Sequence, residues 1–382
     1  MVKNHPHAYS NSVMSSRNRW ILFFVVVAVG AGAIIAFQYE WYRTAAPAPD
    51  ASFAVGERPH VRAADILPSG PVAGGMPAIH TPSFETVWAA DQYLRDAGLG
   101  IDVEVDGRRR FYPYQVLAWH GVVNDTLGGV DLAVTFCPLC QGAAVYQRPT
   151  SGDTMRLETA GKVWNGNTVL ADVGTGSLWV QASGEAVDGT LAGMRLEPYP
   201  FRVVPWRRWK AAYPDGQVLR RPSAAARDYT LDPALAWTHG PALPFPVART
   251  DVRLAMKTPV VGVQAGVARR AYAVPDTAPL GVVDDMLDVD GTSGSVPITL
   301  WFDAEGFAVV FERTLADGRV LSFFQRPGGA VEDRETGTTW LRDGTASLGP
   351  LRGRALKPVA ARPMLWSCWS GAHPDTDVYA LP

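Results

Sequence analysis

Hydrophobic and polar positions alternate in short runs through most of this chain. Ile101, Val103 and Val105 interleave with Asp102, Glu104 and Asp106 before Gly107. That is the two-residue period of a half-buried strand ending at a turn. Asp131 to Phe136 and Gly142 to Gln147 read as two further strands, with Cys137-Pro138-Leu139-Cys140 as the turn between them. Ser177 to Val180 is another strand, followed by turns at Gly184, Gly189 and Gly193. The Trp119-His120 pair falls in Val116 to Val123, within the same strand-rich stretch. Asn124-Asp125-Thr126 ahead of Leu127-Gly128-Gly129 reads as a turn. Thirty-seven glycines and thirty prolines fit short strands joined by turns.

Two segments follow a helical period instead. Phe84, Val87, Trp88, Tyr93 and Leu94 recur near 3.6, which predicts a helix over 84–97 capped by Ser83 and ended by Gly98. Trp206 to Tyr213 predicts a short packing helix closed by Pro214-Asp215-Gly216.

Trp20 to Phe37 has no period at all: it is 18 residues without a charge. As a helix it spans about 27 Å, close to the hydrocarbon thickness of a bilayer. Arg17 and Arg19 precede it, and Tyr39, Trp41 and Tyr42 follow. The expectation is a single-pass anchor in the cytoplasmic membrane, with 1–19 as a cytoplasmic tail and the globular part periplasmic or extracellular. A cleaved signal peptide is the rival, since Thr44 and Ala46 are small residues suited to a peptidase. Residues 38–79 read as a tether and loop-rich lead-in, with Ala-Pro-Ala-Pro at its start.

The chain also repeats itself. Arg110 meets Arg270 and Tyr112 meets Tyr272 at a shift of 160 positions (272 − 112). Val122-Val123-Asn124-Asp125 meets Val282-Val283-Asp284-Asp285, and Trp206 and Trp209 meet Trp366 and Trp369. The fold class expected is therefore mainly β (α+β) and internally duplicated. Two pseudo-symmetric β-rich units with a few short helices occupy 80–225 and 226–382, besides the N-terminal transmembrane helix. A hydrophobic content of 47% and a charged content of 19% are globular values. Thirty-five basic and 37 acidic residues give a net charge of −2, and no basic run points to nucleic acid.

The first copy carries Cys137 and Cys140 and the second does not. His120 faces Leu280, Asn124 faces Asp284 and Glu185 faces Thr345. Trp164-Asn165-Gly166-Asn167-Thr168 faces Phe324-Gln325-Arg326-Pro327-Gly328, so neither asparagine recurs. A duplicated fold keeps core and turn residues in both halves. Reactive groups private to one half are therefore site candidates, and they are expected to converge on one concave site. Asp125 matches Asp285 and reads as structural; Asn124-Asp125-Thr126 is also a glycosylation sequon.

Three chemistries fit these residues. Cys137 and Cys140, with His120 as a further ligand, suit a soft metal ion, copper or zinc. As an enzyme, either cysteine is a nucleophile or redox thiol, His120 the base, and Glu185 with Asn124, Asn165 and Asn167 the positioning groups. As a structural or interaction protein, the two cysteines are bridged or buried. In an oxidising compartment Cys137 and Cys140 can pair, leaving Cys368 alone.

Tyr112-Pro113, Trp119-His120, Val123-Asn124-Asp125, Thr135-Phe136-Cys137-Pro138-Leu139-Cys140, Leu178-Trp179, Gly184-Glu185-Ala186 and Gly189-x-Leu191-x-Gly193 together resemble the bacterial family filed as domain of unknown function 3179. The resemblance runs from about residue 80 to the end and includes Asp251-x-Arg253-Leu254, Lys257 and Val261-x-Val263. It implies an exported or membrane-anchored protein and supplies no activity. Gly121 stands where the family commonly has an acidic residue, which weakens a mechanism needing a carboxylate there.

Overall fold

The alternation over 101–106 folds as a strand, Leu99–Val105, which pairs antiparallel with Arg108–Pro113. Ile101, Val103 and Val105 are buried as the pattern requires. Asp102 is buried too, against the pattern. Its carboxylate accepts from Arg109 Nη1 at 2.8 Å, Arg202 Nε at 2.9 Å and Trp209 Nε1 at 2.9 Å. A buried carboxylate is tolerated when its lone pairs are met in this way.

The structure is a computed structural model. It describes residues 61–381 apart from 70–74, 150–154, 224–226, 234–239, 241–242, 244, 267 and 290–293. The described residues belong to one compact unit, Val55–Pro382. Trp20 to Phe37 lies outside them, and none of the described helices is long and apolar enough to cross a membrane.

The protein is mainly β with a few short helices, and its described strands form six sheets. The first half contributes three. In one, Arg202–Pro205 borders Leu99–Val105, then Arg108–Pro113, Gln217–Leu219 and Phe84–Thr86. In the next, Glu197–Pro198, Gly142–Gln147, Val130–Cys137 and Val122–Leu127 follow one another. The third runs Leu67–Pro68, Leu157–Trp164, Asn167–Asp172, Leu178–Val180 and Glu185–Asp188. The second half orders Ala361–Leu365, Pro259–Ala265, Ala268–Ala273 and Asp377–Val378 in one sheet. Lys357–Pro358, Ala308–Glu312, Ser295–Phe302 and Val282–Asp288 form another. The register also recurs. Arg110 lies opposite Gln217 in a parallel pair, and Arg270 lies opposite Asp377 in another.

Three local expectations need correction. The helix expected over 84–97 is a strand, Phe84–Thr86, followed by one short helix, Val87–Asp91. Pairing with Gln217–Leu219 satisfies that backbone, and Thr86 rather than Ser83 caps the helix through Ala89 N at 3.3 Å. The stretch 116–123 is not a strand throughout. Tyr114–His120 is a helix that buries Val116 and Leu117, and Val122–Leu127 is the strand after it. Gly121 makes the switch with φ 69°. A Cβ there would stand 2.6 Å from Thr159 Cγ2, so this chain has no room for an acidic side chain at that position. Asn124-Asp125-Thr126 lies inside the strand rather than in a turn. Asp125 is structural as expected: Arg110 Nη1 reaches both its oxygens, at 2.6 and 2.7 Å, and Tyr112 donates at 2.5 Å. Arg270 and Tyr272 bind Asp285 in the same manner, each at 2.7 Å.

Trp206–Ala212 is the expected helix, with Trp206 and Trp209 fully buried. Trp366–Ala372 buries Trp366 and Trp369 likewise. The second of these helices packs into a core cluster with Cys137, Cys140, Trp164 and Cys368, so this core draws on both ends of the chain.

Candidate functional site

The hairpin of Val130–Cys137 and Gly142–Gln147 places Cys137 opposite Gly142, leaving Pro138 to Gln141 to turn the chain. Gln141 N donates to Pro138 O at 3.3 Å, and Gln141 adopts φ 49° to close the turn. The turn is thus where the sequence put it, but its two cysteines are not joined to each other. Cys140 forms a disulfide with Cys368, 228 residues away, with the Cα atoms 6.1 Å apart. Cys137 is the free cysteine, and it is buried. The pairing of Cys137 with Cys140, leaving Cys368 alone, is therefore corrected. The cause lies in tertiary structure. Leu365 N donates to Cys140 O at 3.0 Å, which sets the start of the helix Trp366–Ala372 beside the cysteine turn.

The turn between Leu157–Trp164 and Asn167–Asp172 meets all three cysteines. Thr168 N donates to Cys137 Sγ at 3.3 Å. Cys140 Sγ lies 3.3 Å from Gly166 O, a contact without a proton because that sulfur is in the disulfide. Cys368 Sγ lies 3.9 Å from Asn165 O. Asn167 Nδ2 donates to Cys140 Sγ at 3.4 Å and to Gln181 Oε1 at 2.9 Å, while its Oδ1 accepts from Ala182 N at 2.9 Å. Asn165, at φ 49°, donates to Ser367 O at 2.9 Å and accepts from Arg249 N at 2.9 Å. Gly371 makes that reach possible. A Cβ on it would stand 2.2 Å from Asn165 Nδ2.

Burial pushes the Cys137 thiol pKa up, and the hydrogen bonds from Thr168 offset this only in part. At neutral pH the sulfur is a thiol and not a thiolate, so it rests in its unreactive form.

Cys137, Cys140, Asn165 and Asn167 therefore meet, and the other sequence candidates find separate partners. His120 ends the helix Tyr114–His120, with Nδ1 2.8 Å from Pro77 O and Nε2 2.7 Å from the Tyr229 hydroxyl. A carbonyl only accepts, so Nδ1 carries the proton and Nε2 accepts from Tyr229. Burial lowers the His120 pKa, which favours this neutral ring. Both nitrogens are spent, and neither hydrogen-bonds a sulfur. Asn124 is buried and bonds the Leu157 backbone in both senses, at 2.7 and 2.9 Å. Buried in this way, it is a poor site for the glycan its sequon suggested. Glu185 accepts from Arg195 Nη2 at 3.0 Å.

Among the described residues, no group of three His, Cys, Asp or Glu side chains could hold a metal ion as they stand. The sequence reading missed Gln181, whose Nε2 ties Thr135 Oγ1 at 2.9 Å to the asparagine network. Comparing the halves would have exposed it, since Gln181 faces apolar Leu341 at the same shift.

No curated protein and no solved structure matches the chain. The family model described as protein of unknown function DUF3179 matches residues 73–376, which takes in both cysteine-bearing ends of the site. The chain belongs to the DUF3179 family.

Proposed function

We propose that this chain is an extracytoplasmic binding or interaction protein built from two copies of one β-rich unit, which the Cys140–Cys368 disulfide clamps together. The observation that carries the reading is the disulfide itself, which bridges 228 residues from the first hairpin to the last helix. Disulfides persist in oxidising compartments, in keeping with an anchor at Trp20 to Phe37 and a globular part outside the cytoplasm. The recurring register of Arg110 with Gln217 and Arg270 with Asp377 supports the duplication. So do the matched Arg110–Asp125 and Arg270–Asp285 pairs. An enzyme with Cys137 as nucleophile and His120 as base is less favoured, because the thiol is buried and the imidazole is engaged elsewhere. Peptide mapping without reduction tests the clamp. A Cys140–Cys368 linkage is expected; a Cys137–Cys140 linkage would overturn it. An intact mass retaining residues 1–54 supports the anchor, and a mature N-terminus near Ala45 to Pro47 supports a cleaved signal.

One observation favours a second reading. All three cysteine sulfurs border the 165–168 turn. Once reduced, they present three soft donors suited to copper(I). Anaerobically reduced protein would then bind about one copper(I) per chain, and a Cys137→Ser/Cys140→Ser variant would not.

A further inference from the structure

The cysteine turn has a second side. Pro138 and Gln141 form part of the wall of a cavity of about 510 Å³, separate from the sulfur contacts. Strands of both halves complete it, with Phe136 and Val203 on one side and Val261 and Met364 on the other. Cavities that hold small organic molecules have volumes of roughly 300–1,000 Å³ and mostly apolar walls with a few placed polar groups. This one has that composition.

Its polar groups divide into two kinds. The charged ones are bonded to protein groups: Glu305 is paired with Arg207 and Arg208, Asp232 is likewise engaged, and Arg95 Nη2 donates to Thr230 O at 3.4 Å, a bond that leaves its charge in place. Three uncharged groups are not. Among the described residues, the Tyr114 hydroxyl and the side-chain amides of Gln115 and Gln141 make no hydrogen bond to the protein, yet all three residues line the cavity. Tyr114 is fixed in place by stacking on Phe136, with ring centroids 4.0 Å apart. Tyr114 and Gln115 are half-buried and Gln141 is exposed, so their unpartnered polar atoms stay accessible to a guest in the cavity.

We propose that this cavity binds a largely apolar organic molecule carrying a carbonyl or similar hydrogen-bonding group, which Tyr114, Gln115 and Gln141 recognise. The proposal goes beyond the clamp described above.

Photolabelling of the full chain tests this with benzophenone, a neutral apolar probe with a single carbonyl. Irradiation should place the adduct on cavity-lining peptides, Met364 foremost. Ala308→Trp, which fills the cavity, should cut that labelling about tenfold. Tyr114→Phe with Gln141→Ala should lower it about five-fold, since neither substitution removes a protein–protein hydrogen bond. Adducts scattered over the surface, or labelling unchanged in the Tyr114→Phe/Gln141→Ala variant, would each overturn the proposal. The last comparison stands even if Ala308→Trp fails to fold.

Discussion

Cys140 is bonded to Cys368 across 228 residues, while Cys137, three positions before it, keeps a free and buried thiol. The nearest cysteine in sequence is thus not the partner. Neighbouring residues on a tight turn diverge, whereas the backbone bond from Leu365 to Cys140 brings the last helix alongside.

The loop that this disulfide closes is long, and the chain-entropy account gives such a crosslink about 5 kcal/mol, less any native strain. Cys140→Ser/Cys368→Ser should therefore lower the midpoint of denaturant unfolding markedly, whereas Cys137→Ser should shift it little. Equal midpoints for the double variant and the parent chain would refute the clamp.

The Cys137 thiol should resist alkylation. Burial raises its pKa and denies access to reagent. Iodoacetamide at about pH 8 should modify it at least roughly tenfold more slowly than a free cysteine, and fully only in denaturant. Rapid labelling of the folded protein would revive the nucleophile reading.

Gly371→Ala should be costly although the substitution adds one methyl in a helix. That methyl would collide with Asn165 Nδ2 at 2.2 Å and displace its bond to Ser367 O. Overpacking of this kind costs about 1–3 kcal/mol, against the gain that alanine ordinarily brings a helix. A more stable variant would show that the contact relaxes freely.

Asp125→Ala and Asp285→Ala should both destabilise, the first more. Asp125 is 5% exposed and Asp285 14%, and each holds one arginine and one tyrosine. Removing one partner of a buried pair leaves the other uncompensated, at about 3–5 kcal/mol for the more buried site. Parallel denaturation of the two variants measures the difference.

Acid should weaken the fold before the carboxylates titrate. Burial first, and then the nearby Arg362, hold the His373 pKa well below its usual value of 6.5, and burial lowers His120 as well. The unfolded chain therefore binds protons that the folded chain refuses. This contribution is complete above about pH 6.5 and is lost as the pH falls below it. The melting temperature should drop between about pH 6.5 and pH 5, and less so in His373→Gln, which keeps an acceptor for Arg362. A flat profile in the parent chain would contradict the neutral, buried assignment.

The sequence by itself determined the local structure wherever one face of an element meets the core. The alternation at 101–106, the cysteine turn between two strands, the Trp206 helix and the family all followed from residues close together in the chain. It failed where a distant strand intervened, as at Phe84–Thr86, whose pairing with Gln217–Leu219 overrode a helical period. The comparison of halves singled out Cys137, Cys140, Asn165 and Asn167, which do meet, because a side chain private to one half answers to something other than the shared core. It also singled out His120, Asn124 and Glu185, which serve separate hydrogen-bond needs, since a private polar residue satisfies a local backbone as readily as it builds a site. Only the tertiary structure decided the partner of Cys140, the isolation of the Cys137 thiol and the cavity behind the turn. Those depend on packing between residues more than two hundred positions apart, for which periodicity carries no information.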